Sequence, residues 1–226
     1  MGFIIAIDGP AGAGKSTTAR EVATQLGFSY LDTGAMYRSI AHSALLSHIS
    51  SDEENRLVAL AHSLEIAFSP LLADGTQQVI ANGIDISHEI RTPEVSEVTS
   101  KIASIPRLRE IVVERQQLLG RKGEPGVVLE GRDIGTVVFP NADLKIFLTA
   151  TASERLRRRI EELQGRGLIP NPEDILREIV ERDERDTNRR HSPLRRAEDA
   201  VEIVTDGKTR TEVVGEILSL VRNRRG

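Results

Sequence analysis

A glycine-rich stretch near the start of the chain has the residue types and spacing of a polyphosphate-binding loop. The pattern G-x-x-x-x-G-K-[ST] is matched at Gly9, Gly14, Lys15 and Ser16. The glycines allow backbone N–H groups to surround an anion, and the helix expected to follow directs its positive end to the same place. We expect Lys15 to reach the β- and γ-phosphates of a nucleoside triphosphate and the Ser16 hydroxyl to bind Mg²⁺. The predicted nucleotide-binding residues are Gly9, Pro10, Ala11, Gly12, Ala13, Gly14, Lys15, Ser16 and Thr17.

Two further groups of polar residues follow predicted strands and are candidates for binding a second ligand. The group after the strand at 28–31 consists of Asp32, Thr33, Tyr37 and Arg38, and the group after the strand at 126–130 consists of Arg132 and Asp133. Ligands collect at the carboxyl ends of parallel strands, so both groups are predicted at the sheet edge that carries the glycine-rich loop. An arginine such as Arg38 on a helix surface is usually only solvated. The Arg132–Asp133 pair, flanked by glycines, suits a phosphate and a hydrogen-bonding base edge.

Arginines are concentrated between residues 155 and 190. The arginines of this segment include Arg155, Arg157, Arg158, Arg159, Arg166, Arg182, Arg185, Arg189 and Arg190. Interleaved acidic residues make a solvated, salt-bridged helical hairpin one interpretation of this segment. Beside a phosphate-binding loop, the alternative is a hinged lid whose arginines neutralise the charge that develops during phosphoryl transfer. The i, i+3, i+4 spacing of Arg155, Arg158 and Arg159 places these side chains on one helix face.

Composition excludes several other classes of protein. The 226 residues are 39% hydrophobic and 28% charged, with a net charge of −4, which argues against nucleic-acid binding over the whole surface. Aromatic residues make up only 3% and tryptophan is absent, so a base-stacking platform is not expected. The absence of cysteine, of a leader-like segment before the first apolar run and of a membrane-length apolar stretch predicts a cytoplasmic address.

Apolar runs alternate with segments of helical periodicity along most of the chain. The predicted strands lie at 3–8, 28–31, 126–130, 143–148 and 200–204. This alternation predicts an α/β fold with a parallel sheet and right-handed crossovers. Between residues 64 and 86 the period changes to two, and Asn82–Gly83 is a dipeptide typical of a tight hairpin turn. We therefore expect a small antiparallel β insertion within the α/β chain.

Three blocks of sequence resemble bacterial cytidylate kinases, and the resemblance covers essentially the whole chain. The blocks are the glycine-rich loop with Leu31-Asp32-Thr33-Gly34-Ala35-Met36-Tyr37-Arg38, then Glu130-Gly131-Arg132-Asp133-Ile134-Gly135-Thr136, and then Arg182-Asp183-Glu184-Arg185-Asp186-Thr187-Asn188-Arg189. The resemblance implies a P-loop three-layer α/β/α fold with a five-stranded parallel sheet, a β-containing monophosphate-binding insertion and a helical lid. It implies a core at about 1–32, 125–155 and 195–226, the insertion at about 33–124 and the lid at about 156–194.

The same resemblance implies direct transfer of a phosphoryl group from ATP, with Mg²⁺, to CMP or dCMP. It implies that Arg38 and Arg132 hold the acceptor phosphate and that Arg182 and Asp186 contact the sugar hydroxyls. The residues that would read cytosine are Asp133, Arg109 and Ser100, and Thr33 and Tyr37 complete the substrate-binding set. The residues implied at the transferring phosphoryl group are Lys15, Arg132, Arg158, Arg159 and Arg189.

Two other functions compete with this expectation. One is a P-loop kinase for another small acceptor, such as a different nucleoside monophosphate or shikimate. The other is a nucleotide-dependent switch or binding module without transfer activity. Arginines on two sides of the predicted phosphate site favour an enzyme, because a switch needs no second phosphate clamp. We also expect a monomer that binds neither nucleic acid nor a membrane.

Overall fold

Five strands form one parallel sheet in the computed structural model, which describes residues 2–165 and 167–225. The strands of the whole molecule are β1 (Phe3–Asp8), β2 (Ser29–Asp32), β3 (Ile66–Phe68), β4 (Val79–Ala81), β5 (Ile84–Asp85), β6 (Gly126–Gly131), β7 (Leu144–Thr149) and β8 (Val201–Val204). The order in the five-stranded sheet is β2-β6-β1-β7-β8. The predicted α/β class and all five predicted core strands are confirmed.

The helices that alternate with these strands also follow the predicted pattern. They are α1 (Lys15–Leu26), α2 (Thr33–Leu46), α3 (Glu54–Ser63), α4 (Pro93–Ile102), α5 (Pro106–Arg121), α6 (Ala152–Gly165), α7 (Pro172–Asn188) and α8 (Arg210–Arg225). α4 and α5 each begin with a proline, whose missing N–H costs nothing in the first helical turn. Among the described residues, none of the helices combines the length and apolar character that a membrane-spanning segment requires.

The burial of β1 explains why its sequence is a nearly unbroken apolar run. Residues Ile4 to Asp8 are all buried, since the strand has neighbours on both sides. On one side it pairs in parallel with β7, with Ile5 opposite Leu144 and Ile7 opposite Ile146. The phosphate loop therefore leaves the sheet from the carboxyl end of an interior strand, where ligands of parallel sheets bind.

The chain divides into two compact units. The first contains the described residues of Met1–Ile4 and Ala23–Leu129, and the second contains those of Ile5–Val22 and Glu130–Gly226. The finer division into core, insertion and lid stays a prediction, and Arg166 of the predicted lid lies outside the described residues.

The first unit has its own hydrophobic core and a small second sheet. Its largest fully buried side chains include Met36, Ile40, Leu57, Ile90 and Leu108. The second sheet is antiparallel with the order β3-β4-β5, which confirms the predicted β insertion. Both turn residues between β4 and β5, Asn82 and Gly83, have positive φ (48° and 81°), as a type I′ hairpin requires.

The second unit contains the phosphate loop, the helical pair α6 and α7, and the strands β7 and β8. The interior strand β7 pairs with β8, with Ile146 opposite Val201 and Leu148 opposite Ile203. A short π-helical segment, Ile134–Val138, follows β6 in this unit and was not predicted from the sequence. The residue immediately before this segment is Asp133, a candidate site residue.

Candidate functional site

The glycine-rich loop has the backbone conformation that its sequence predicts. Gly9, Gly12 and Gly14 have positive φ values of 150°, 78° and 87°. A Cβ atom on Gly9 would lie 1.9 Å from the carbonyl oxygen of Leu148, so no other residue fits against β7 at this point. α1 begins at Lys15, directly after the loop. The loop and helix therefore have the arrangement in which backbone N–H groups and a helix N-terminus bind phosphate.

Lys15 is held inside the loop rather than extended into solvent. Its side chain is buried, and its Nζ donates a 2.7 Å hydrogen bond to the carbonyl oxygen of Pro10. Burial, and next the positive charge of Arg132, lower the pKa of Lys15 to about 7, while the carboxylate of Glu130 partly opposes this shift. Glu130 is itself buried at the end of β6. Lys15 is therefore a strongly desolvated cation that an incoming phosphate would stabilise in its charged form.

A single carboxylate gathers several of the predicted arginines. Arg132 Nε donates a 2.9 Å hydrogen bond to Asp186 Oδ2, and Arg189 lies 3.9 Å from the other carboxylate oxygen. Although burial raises the pKa of Asp186, the charges of Arg132, Arg189 and Arg182 hold it below its usual range. The structure thus brings together four predicted site residues: Arg132, Arg182, Asp186 and Arg189.

Arg158 and Arg159, two predicted site residues on α6, differ from each other in their surroundings. Arg158 donates from Nη2 to the carbonyl oxygen of Thr205 at 2.8 Å and from Nε to Glu154 at 2.8 Å. Arg159 is 43% exposed and pairs with Glu162 on its own helix. The structure therefore holds Arg158 close to the phosphate loop, where its Nη1 lies 3.7 Å from a Cβ built on Gly14, and leaves Arg159 at the surface.

Arg155, which the sequence placed on the same helix face, forms a structural link. Its guanidinium donates two hydrogen bonds to the carboxylate of Asp183 on α7, at 2.9 and 2.5 Å. It also donates to the carbonyl oxygen of Ala11 in the phosphate loop at 3.2 Å. With its side chain only 6% exposed, Arg155 connects the loop to both helices of the predicted lid.

A cavity of about 220 Å³ lies beside the phosphate loop within the second unit. Its lining includes Ala13, Gly14 and Thr17 from the loop region, Arg157 and Arg158 from α6, and Thr205, Lys208 and Arg210 from the chain after β8. Thr205 and Lys208 were not among the site residues predicted from the sequence. Their position just after a parallel strand was the available signal, because this is where ligands of such sheets bind.

In the first unit, Asp32 organises the start of α2. Its Oδ1 accepts a 3.0 Å hydrogen bond from the N–H of Ala35, and its Oδ2 accepts a 2.6 Å hydrogen bond from Arg38. Arg91, which was not among the predicted site residues, lies 3.9 Å from the same Oδ2 atom. Burial raises the pKa of Asp32, but the charges of Arg38 and Arg91 hold it below its usual range.

Arg38 keeps one buried donor that none of the described residues accepts. Its Nε atom is buried without a hydrogen-bond partner, although Nη2 is paired with Asp32. A buried N–H without an acceptor is costly, and an anion at this place would remove the cost. This observation fits the predicted role of Arg38 in binding a phosphate.

Two of the predicted substrate-binding residues also pack together in the first unit. The guanidinium of Arg109 lies 5.3 Å from the ring centroid of Tyr37, a cation–π geometry, and Arg109 donates to the carbonyl oxygen of Ala103 at 2.9 Å. Thr33 is buried in the first turn of α2, and Ser100 lies half-buried on α4. The first unit therefore contains Thr33, Tyr37, Arg38, Ser100 and Arg109.

A parallel α/β sheet with a phosphate loop after an interior strand defines a P-loop nucleotide-binding protein. The family model for cytidylate kinase matches residues 5–223, and the chain belongs to the cytidylate kinase family.

Curated relatives agree with this family over nearly the whole chain. A cytidylate kinase of Carboxydothermus hydrogenoformans is 47% identical over 217 residues, covering 96% of each chain. A bifunctional pantoate ligase/cytidylate kinase of Synechococcus sp. (strain RCC307) is 48% identical over 97% of this chain, which spans only 42% of that longer relative. A solved structure of an uncharacterized protein from Eubacterium ventriosum has a TM-score of 0.52 at 10% identity, covering 97% of this chain and 98% of that chain, and shares the fold alone.

Proposed function

We propose that this protein transfers the γ-phosphoryl group of ATP to CMP or dCMP, giving ADP and CDP or dCDP. The match of the cytidylate kinase family to residues 5–223 carries the proposal. The conformation of the phosphate loop and the arginine cluster around Asp186 support it, because phosphoryl transfer requires both a donor cradle and neutralising charge.

The donor ATP is bound by residues 9–17, with Lys15 at its β- and γ-phosphates. The cavity beside the loop is suited to the nucleoside part, since it adjoins the loop and is lined by arginine side chains. Among the described residues, no group of three or more acidic or histidine side chains is arranged to hold a metal ion. Mg²⁺ would therefore be held mainly by phosphate oxygens together with the Ser16 hydroxyl, an oxygen donor of the type that it prefers. When bound, Mg²⁺ supplies charge neutralisation at the triphosphate.

The acceptor monophosphate is bound by Arg38 and Arg132. Arg182 and Asp186 contact its sugar, and Asp133, Arg109 and Ser100 read its base, with Thr33 and Tyr37 in the same set. The orphaned Nε of Arg38 supports the assignment of a phosphate to that residue. Arg132 would exchange its bond to Asp186 for a bond to the phosphate, since both partners are anionic oxygens.

Transfer is direct and in line, without a covalent enzyme intermediate. The acceptor phosphate is already ionised, so no general base is needed, and catalysis comes from positioning and charge neutralisation. The residues proposed to act on the transferring group are Lys15, Arg132, Arg158, Arg159 and Arg189. Arg159 would have to leave Glu162 to take part.

Base specificity is assigned to Asp133, which is buried. A carboxylate accepts a hydrogen bond from the exocyclic amine of cytosine, whereas uracil presents a carbonyl oxygen at that position. A buried acceptor left unpaired by the wrong base is costly, which is how a polar pocket rejects a close analogue. A monomeric state, a cytoplasmic address and the absence of nucleic-acid and membrane partners are further proposals that rest on the sequence.

ADP formation measured with CMP, dCMP, UMP, AMP and shikimate in turn tests this function. We expect turnover with CMP or dCMP to exceed that with the other acceptors. Asp133→Ala should lower kcat/KM for CMP by about tenfold or more while changing that for UMP much less. A preference for shikimate or AMP would contradict the proposed function. An unchanged ratio of kcat/KM for CMP to that for UMP in Asp133→Ala would contradict the role assigned to Asp133. Lys15→Ala, expected to lose about a hundredfold in rate, controls for contaminating kinases.

A further inference from the structure

A buried carboxylate at the end of β1 has no part in the mechanism above. Asp8 is only 5% exposed and immediately precedes Gly9, the first residue of the phosphate loop. This position suggests a role in binding ATP. Its carboxylate, however, contacts the segment that follows Asp133.

Both oxygens of Asp8 accept hydrogen bonds from the chain that follows Asp133. The N–H of Ile134 donates to Oδ1 at 2.8 Å, and the N–H of Gly135 donates to Oδ2 at 2.7 Å. These are charge-assisted bonds to two successive N–H groups at the start of the π-helical segment. The carboxylate therefore acts as a cap supplied by a distant strand.

The peptide group between Asp133 and Ile134 is held at both ends by this arrangement. Its N–H is bound by Asp8, and its carbonyl oxygen accepts from the N–H groups of Val137 and Val138 at 2.9 and 3.2 Å. Since a peptide group is planar, fixing both of its polar atoms fixes its orientation. Because the Cα atom of Asp133 lies in this plane, the fixed peptide group restricts the direction of the Asp133 side chain and of the chain that leads back to Arg132.

The next residue is held tightly as well. A Cβ atom on Gly135 would lie 3.1 Å from Lys145 Cδ and 3.4 Å from Asp8 Oδ2. The segment therefore packs closely against the Lys145 side chain and the Asp8 carboxylate. A small displacement of either would be transmitted to the residues that precede it.

We propose that Asp8 is a positioning residue for the acceptor nucleotide: its carboxylate fixes the turn that orients Arg132 and Asp133. The inference rests on the proposed function only in that it takes these two residues as acceptor ligands. Asp8 belongs to the strand that leads into the phosphate loop. Its loss should nevertheless weaken binding of the acceptor nucleotide more than binding of ATP.

The electrostatics of the group agree with this role. Burial raises the pKa of Asp8 to about 6, and the negative charge of Asp133 adds to the increase, while its two N–H donors and the charge of Lys15 oppose it. The amide resonances of Ile134 and Gly135 should consequently shift with a midpoint near this value in the wild-type protein and not in Asp8→Asn. This measurement needs no nucleotide, so it tests the contact even if the proposed function fails.

The kinetic test compares Asp8→Asn with the wild-type protein in the full chain. An asparagine of the same shape cannot accept from both N–H groups, so KM for CMP should rise by about ten- to a hundredfold and the CMP/UMP ratio should fall. KM for ATP should stay within about threefold. Thr136→Val is the matched control, because the buried Thr136 hydroxyl in the same segment makes no hydrogen bond with the described residues.

Each result decides the role of Asp8. An equal or larger rise in KM for ATP would overturn the proposal, and so would an unchanged KM for CMP. If Asp8→Asn does not fold, Gly135→Ala disturbs the same segment, because its Cβ atom would crowd Lys145 and the Asp8 carboxylate, and it should produce the same split in KM values. A wild-type protein that does not distinguish CMP from UMP would reject the proposed function, whereas amides of Ile134 and Gly135 that do not follow the Asp8 titration would reject the positioning contact.

Discussion

Asp32 shows how one side chain can serve stability and function at the residue scale. Its carboxylate caps α2 through the N–H of Ala35 and at the same time holds Arg38, with Arg91 nearby. The cap sets where α2 begins, and the ion pair sets the direction of the Arg38 guanidinium. The proposed acceptor-phosphate ligand is therefore positioned by the residue that starts its helix.

The depressed pKa of Asp32 predicts how its contribution depends on pH. Asp32→Asn keeps a good capping residue and removes the charge, so we expect the variant to be about 1–2 kcal/mol less stable at neutral pH. A group whose folded pKa lies below its unfolded value contributes stability above the unfolded pKa and loses it as pH falls through the folded pKa. Urea unfolding should give a constant difference between about pH 7 and about pH 5 and a smaller one near pH 3. A difference that grows on acidification would contradict this interpretation.

At the scale of elements, α6 and α7 are joined by an ion pair with a buried arginine rather than by their apolar faces alone. α6 packs against α7, and the bidentate contact between Arg155 and Asp183 lies between them. Because Arg155 also binds the carbonyl oxygen of Ala11, the same guanidinium links both helices to the phosphate loop. The predicted lid is thus anchored near the start of α6.

Removal of this anchor should be costly in a way that an exposed ion pair is not. Asp183→Ala leaves the buried Arg155 without its charged partner, so we expect a loss of about 2 kcal/mol in the free energy of unfolding. Asp174→Ala is the matched control on the same helix, since Asp174 and its partner Arg177 are both more than half exposed. Its effect should stay below about 0.5 kcal/mol. Equal losses of unfolding free energy for the two variants in urea would show that the pair with the buried Arg155 stabilises the fold no more than an exposed ion pair does.

At the scale of the whole molecule, the residues proposed to bind the nucleotides belong to two compact units. The first unit holds Arg38 and Arg109, and the second holds the phosphate loop with Arg132 and Asp133. Each unit has buried apolar side chains of its own, such as Leu57 in the first and Ile146 in the second. A nucleotide that binds these residues only in the folded state should raise the free energy of unfolding of the full chain.

Thermal unfolding in the presence of nucleotides checks this expectation independently of turnover. A ligand at a hundred times its Kd should raise the free energy of unfolding by about 2.7 kcal/mol. At equal concentrations we expect CMP to raise the unfolding midpoint more than UMP does. Lys15→Ala should lose most of the increase caused by ATP and keep the increase caused by CMP. Loss of both increases in that variant would argue against separate donor and acceptor residues.

Local sequence predicted much of the fold because its signals are short-range. The five core strands follow from apolar runs that must be covered on both faces, and the β4–β5 turn follows from the conformational preferences of Asn82 and Gly83. The phosphate loop follows from glycines whose positive φ values the structure confirms. These features depend on residues that are neighbours in the chain.

Tertiary structure alone decided which candidate side chains are buried in ion pairs or hydrogen bonds and which are exposed. Arg155, Arg158 and Arg159 have the same helical spacing, yet one is buried against Asp183, one binds Thr205 and one is exposed. The π-helical segment after Asp133 is capped by Asp8, which is 126 positions earlier in the chain. Motif spacing by itself determined that this protein binds a nucleotide and that it resembles a cytidylate kinase. The orientation of its acceptor residues depends on hydrogen bonds between distant segments, and these exist only once the sheet has brought the ends of β1 and β6 together.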